Sequence, residues 1–182
     1  MTPRVIGLDP SLTGTGISNG QWAATIATTG RTDATLVDRA SRIGHITSAV
    51  LEYTTGAHLV VVEGPALSRK TGHMWDRAGL WWRIVGRLVG DGVPVAVVPP
   101  NIRALYATGR AGAGKDEVLL AAARRWPGCE ITNNNEADAC VLASMGLDWL
   151  DHPLAPMPAT HRAALARVAW PDNIQTGDTA DA

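Results

Sequence analysis

The chain has 182 residues, of which 46% are apolar and 18% charged, with a net charge of −1. That describes a globular domain of ordinary size and excludes a disordered or fibrous chain. No window approaches the ~18 uninterrupted apolar residues of a membrane span, and the near-zero net charge gives no global sign of a nucleic-acid partner.

Met1 to Asp9 lacks a signal-peptide plan, because an acid arrives at once. Arg4 to Asp9 reads as a short buried strand ending on that acid, and Pro10 to Gly14 as a turn. Thr15–Asn19 and Gln21–Thr28 predict two more strands, joined at an Asn19-Gly20 hairpin. Asp33 to Tyr53 predicts a helix, since Leu36, Ala40, Ile43, Ile46 and Val50 recur at three- and four-residue steps before Thr55-Gly56. Leu59 to Glu63 is a continuous apolar strand of the kind covered on both faces, and it too ends on an acid.

Gly64 to Gly72 reads as a loop, and Trp75 to Gly90 as a helix with Trp75, Gly79, Trp82, Gly86 and Val89 along one stripe. Val93 to Val98 is another buried strand, stopped by Pro99-Pro100. A short helix (Asn101–Tyr106), a flexible loop (Thr108–Gly114) and a longer helix (Lys115–Trp126) follow. Asn133 and Asn134 offer N-caps for a last helix from Asn135 to Leu147. The order predicts an α/β domain with a mixed sheet over residues 1–150. Residues 151–182 read as a Pro-rich acidic tail, partly disordered, with a short helix at Ala159–Ala169. Cys129 and Cys140 make neither a disulfide framework nor a zinc site, and read as reduced thiols of a cytoplasmic protein.

Charge is uneven. Between Arg69 and Arg110 seven bases (Arg69, Lys70, Arg77, Arg83, Arg87, Arg103 and Arg110) face two acids, whereas from Met145 onward two arginines face five aspartates. The basic middle is either a phosphate-facing surface or a solvated helix face, and charge alone leaves both open.

Acids mark the ends of elements: Asp9 and Glu63 close strands, and Glu136 and Asp138 open the last helix. Taken singly, such acids are more often caps or surface residues. If the two strands are central and parallel, their ends share the edge where open α/β sheets bind ligands. Carboxylates meeting there would repel one another without cations, and hard oxygen ligands suit Mg²⁺ or Mn²⁺.

Val5-Ile6-Gly7-Leu8-Asp9-Pro10-Ser11-Leu12-Thr13-Gly14-Thr15-Gly16 resembles the first motif of the RuvC-like Holliday junction resolvases of the RNase H superfamily. Val60 to Glu63 resembles their second-acid strand, and Asn135-Glu136-Ala137-Asp138-Ala139 is similar to the final acidic motif, particularly in bacteriophage proteins. The resemblance covers residues 4–148. It implies an RNase H-like fold, a five-stranded mixed sheet with helices on both faces. It also implies cleavage of four-way junctions and related branched DNA with two Mg²⁺ or Mn²⁺ ions. The implied setting is a bacterial host cytoplasm, and the implied assembly a homodimer through the helix Trp75 to Gly90.

Asp9, Glu63 and Asp138 are then the metal-binding acids. The family's fourth ligand stands three residues before the last acid, where this chain has the neutral Asn135; the adjacent Glu136 is the substitute. Pro99–Arg103 and Gly114–Val118 resemble the family's basic segment. Arg103 and Lys115 would then face phosphates alongside Arg69, Lys70 and Arg110, with Lys115 stabilising transition-state charge. Some members stack an aromatic, three residues after the second acid, on an unpaired base; here that position is Ala66. Trp75 is a substitute wedge, unless Trp75, Trp81 and Trp82 serve the core or a dimer interface.

Other readings compete. Gly109 to Lys115 satisfies most of a phosphate-binding P-loop, but Asp116 replaces its Ser or Thr and no buried strand precedes it. The first motif is also similar to the phosphate loop of actin-like ATPases, which need two such domains. A catalytically weak or inactive branched-DNA-binding module is the main alternative, with Asn135 in its favour. A nuclease for flaps or forks is another, because shape is read by the placement of phosphate contacts.

Overall fold

A computed structural model describes residues 2–65, 73–172 and 174. The chain opens with a meander in which β1 (Val5–Asp9) pairs antiparallel with β2 (Gly14–Ser18), and β2 with β3 (Ala23–Ala27). Gly20 makes the second turn at a φ of 87°, a conformation that Asn19-Gly20 foretells. α1 (Leu36–Thr54) starts at a reciprocal capping box between Thr35 and Asp38. β4 (Leu59–Glu63) then lies parallel to β1, and after α2 (Met74–Gly90), β5 (Val95–Val98) lies parallel to β4. The sheet order is β3-β2-β1-β4-β5. α3 (Pro100–Thr108), α4 (Lys115–Arg125) and α5 (Asn134–Trp149) complete the domain.

The two-residue period of the strands divides the core. Ile6, Leu8, Val60 and Val62 pack with α1 and α2, whereas Val5, Leu59 and Val61 pack with α3, α4 and α5. α5 is buried continuously from Glu136 to Asp148, as a helix that is apolar on all sides must be. Two missing side chains let it lie against the sheet. A Cβ on Gly7 would stand 2.0 Å from the Ala139 carbonyl oxygen, and one on Gly16 2.0 Å from that of Asn135.

α2 turns a different face inward from the stripe that the sequence picks out. Asp76, Leu80, Ile84, Val85 and Leu88 are buried, while Trp75, Trp82 and Val89 are 79%, 67% and 61% exposed. Both stripes have helical spacing, so period alone does not say which one meets the sheet.

The expected tail is docked through residue 172. Ala164 and Val168 are buried in the core with Leu154, Met157, Leu165 and Trp170 packed around them, and Trp170 stacks on Trp149 at 4.7 Å. A short helix, α6 (Ala159–Arg162), and a 3₁₀ turn (Leu165–Arg167) stand where one helix was expected. From residue 175 onward the expectation of disorder lies outside the described residues. Among the described residues no helix is long and apolar enough to cross a membrane.

Candidate active site

β1 and β4 are parallel neighbours whose register pairs Leu8 with Val62. The next position on each strand carries an acid, Asp9 and Glu63. Both occupy the period-two set of Val5 and of Leu59 and Val61, the set that faces α5. Gly7 draws α5 close to β1 one step earlier, and α5 delivers Asp138. One ligand oxygen from each of Asp9, Glu63 and Asp138 lies within 4.8 Å of the others. Glu63 is 8% exposed and Asp138 2%. The indole N–H of Trp81 donates to the Glu63 carbonyl at 2.9 Å and pins the end of β4.

The electrostatics are those of carboxylates crowded together out of water. Burial holds the Asp9 carboxyl well above the usual carboxylate range, helped by the charge of Glu63, a hydrogen bond with Glu63, and the charge of Asp138. Burial also pushes Asp138 up to about 7, against the lowering pull of Arg103 and the raising push of Glu63. Three converging carboxylates with a deficit of positive charge are a hard oxygen donor set, and they fit Mg²⁺ or Mn²⁺.

Among the described residues, Arg103 is the buried cation that faces these acids. Its Nε donates to Glu63 Oε1 at 3.1 Å, its Nη2 lies 3.0 Å from the same oxygen, and its Nη1 donates to Asp138. At 6% exposure it bridges two of the acids instead of lying on a phosphate-facing surface, which corrects the expectation from sequence. Charge explains the change: buried carboxylates left without a partner are costly, and a guanidinium between Glu63 and Asp138 offsets that cost.

Glu136 does not join the trio. Its carboxylate accepts from the Thr132 N–H (2.8 Å), the Thr132 hydroxyl (2.7 Å) and the Thr25 hydroxyl (2.9 Å). Burial raises its pKa, but these bonds and one with Asn133 outweigh it, and the net shift is downward. Glu136 is an N-terminal capping residue that ties α5 to β3. The pattern Asn133-x-x-Glu136, an N-cap with an acid three residues later, was the available signal. Asn135 packs against β2, with its Nδ2 2.8 Å from where a Gly14 Cβ would stand.

Lys115 is exposed on the first turn of α4, near enough for its charge to lower the pKa of Asp138. Arg110 is exposed and paired with Glu117 at 3.3 Å. Arg69, Lys70 and Ala66 lie outside the described residues. The segment before Gly109 is the helix α3 rather than a buried strand, which removes the P-loop context.

No family model matches the chain, and no curated protein matches it by sequence. Solved structures do match. RuvC of Thermus thermophilus superposes with a TM-score of 0.60 at 21% identity, over 90% of this chain and 95% of that one. T. thermophilus RuvC in complex with a Holliday junction substrate gives 0.60 at 19% identity, over 81% and 96%. A yeast mitochondrial Holliday junction resolvase gives 0.49 at 11% identity, over 91% and 81%. At these identities the RuvC likenesses show the fold: the RNase H-like five-stranded mixed sheet with helices on both faces.

Proposed function

We propose that the chain is a divalent-metal-dependent endonuclease that resolves four-way junctions and related branched DNA. One observation carries the reading: on a RuvC-type sheet, Asp9, Glu63 and Asp138 converge within 4.8 Å at the edge where β1 and β4 end. We assign the protein to a cytoplasm, a reading supported by its two free buried cysteines.

Asp9, Glu63 and Asp138 would hold Mg²⁺ or Mn²⁺, two ions per site. When bound, such ions supply an activated water and stabilise the leaving oxygen of a phosphodiester. The chain's own part is positioning. The β1–β4 ladder fixes Asp9 and Glu63, and the close seat of α5 on Gly7 fixes Asp138. Arg103 holds Glu63 and Asp138 in place through its ion pairs with both. Lys115, free to reach outward from α4, offsets charge that builds on the attacked phosphate.

The exposed stripe of α2, with Gly79, Trp82, Gly86 and Val89, we assign to a second copy. A two-fold pair would offer two sites to a nearly symmetric junction. Trp82→Ser is expected to sediment as a monomer where the natural chain sediments as a dimer.

The test is a synthetic immobile four-way junction with Mg²⁺, Mn²⁺ or EDTA, with duplex and flap DNA as controls. Paired nicks that need metal and spare duplex are expected. Salt-sensitive junction binding without any nicking would select the inactive binding module. Equal cleavage of flaps would keep the metal site and discard junction selectivity.

A further inference from the structure

We infer that the cavity between α3, α4 and the docked C-terminal segment takes an acidic peptide of a partner protein, with an aliphatic side chain against Leu120 and carboxylates on Arg124 and Arg125. The inference stands apart from the nuclease reading, since no residue of the acid trio takes part.

α4 has two faces. Val118 and Ala122 are buried in the core. Glu117, Leu120, Ala121 and Arg124 recur at three- and four-residue steps on another side, and all four line a cavity of about 620 Å³. That volume is of the size that takes a small ligand or a few side chains. Leu120 is 50% exposed, and Ala107, Ala121, Pro156 and Pro158 join it as an apolar lining.

The C-terminal segment supplies the facing wall. Ala164 and Val168 seat that segment in the core, and Arg162 pairs with the buried Asp148 at 2.9 Å. His161, which also lines the cavity, donates through Nδ1 to the Tyr106 carbonyl at 2.9 Å. Gly109 makes the room: its φ is 78°, and a Cβ there would stand 2.8 Å from His161 Nε2. The cavity is therefore fixed by the fold on both sides, and little order has to be created on binding.

Charge selects the partner. Arg110, Arg124 and Arg125 line the cavity with one carboxylate, Glu117. That acid is already engaged, by Arg110 at 3.3 Å and by the Gly114 N–H at 3.2 Å. Arg125 donates through Nη1 to the Met157 sulfur at 2.8 Å, which leaves Nε and Nη2 without a partner among the described residues. Arg124 has no hydrogen-bond or ion-pair partner among the described residues. Guanidinium forks with spare donors beside an aliphatic surface suit carboxylates next to aliphatic side chains. A nucleic acid fits less well. Its phosphates have no use for the apolar lining, and no aromatic among the described residues lines the cavity to stack a base.

The probe is a fluorescein-labelled peptide of eight residues, two leucines set among aspartates, followed by fluorescence anisotropy. Saturable binding to the natural chain is expected. Arg124→Glu is expected to weaken it about tenfold or more, the scale of one hydrogen bond to a charged group. Leu120→Ser should weaken it about fivefold, the scale of half a leucine side chain returned to water. Four-way junction affinity in EDTA should be unchanged in both variants. Equal affinity of the peptide for Arg124→Glu and the natural chain overturns the inference. So does equal binding of a control peptide with serine in place of leucine, which would reduce the contact to charge alone. Weaker junction binding by Arg124→Glu, with no binding of the peptide to the natural chain, would give the cavity to the DNA backbone and overturns it too.

Discussion

α5 buries two aspartates, Asp138 near its start at 2% exposure and Asp148 near its end at 1%, and their surroundings differ in one respect. Asp148 is closed. It accepts from the Tyr106 hydroxyl at 2.9 Å and pairs with Arg162 at 2.9 Å. Tyr106 is itself pushed upward in pKa, by burial first and by Asp148 second. One carboxylate meets one guanidinium and one hydroxyl, and the cluster locks the C-terminal segment onto α3 and α5. Asp138 stands instead with Asp9 and Glu63 against Arg103, with the charge of Lys115 adding from the surface. Burial is common to both ends, so burial does not mark function. The surplus of negative charge does.

Neutralising each aspartate in turn should separate the two ends most sharply. Asp138→Asn is expected to cut junction cleavage about 10³-fold or more, while the metal-free protein becomes no less stable, because a repelling charge is gone. Asp148→Asn should leave cleavage per folded molecule unchanged. Cleavage rates and thermal melts in EDTA check both. Next in size is Arg103→Gln, which leaves buried carboxylates without their partner. A loss of about 3–5 kcal/mol in metal-free stability is expected, with recovery on adding Mn²⁺, as read by urea unfolding. For Asp148→Asn the same measurement should show a smaller loss, about 1–3 kcal/mol, from a weakened Tyr106 hydrogen bond and the lost ion pair with Arg162. Mn²⁺ should not reverse it.

The smallest effect is a slope with pH. Asp9 and Asp138 have folded pKa values above their unfolded ones, that of Asp138 near 7. The folded protein therefore binds more protons than the unfolded chain at mildly acidic pH. Their contribution is fully present below an unfolded pKa of about 4 and is lost as pH rises toward 7. Melting temperature in EDTA should fall over that window, and saturating Mn²⁺ should flatten the trend. A flat metal-free profile would remove the charge surplus on which the comparison rests.

Much of this was legible from sequence. Valine-rich strands ending on Asp9 and Glu63 foretold the parallel pair, and the Asn133 cap foretold where α5 begins. What escaped were directions. Arg103 read as a DNA contact, because nothing in Pro99-Pro100-Asn101-Ile102-Arg103 says which way α3 turns its fourth residue. Glu136 read as a ligand by adjacency to Asn135, although position N3 of a capped helix turns a carboxylate back toward the preceding backbone. The α2 stripe of Trp75, Trp82 and Val89 was visible as a pattern, but a second stripe of Leu80, Ile84 and Leu88 had the same period and took the core. The prolines after Asp151 suggested a tail, and they hid that Ala164, Val168 and Trp170 could pack against Trp149 and α5.

If the three carboxylates and Arg103 form a cation site, the metal and the guanidinium compete for the same oxygens. Titration of Mn²⁺ into the natural chain, Asp138→Asn and Arg103→Gln, followed by electron paramagnetic resonance, tests it most directly. Saturable binding to the natural chain is expected, with tighter binding once the competing guanidinium of Arg103 is removed and loss of binding in Asp138→Asn. Binding that is equal in all three proteins, or absent from the natural chain, would contradict it.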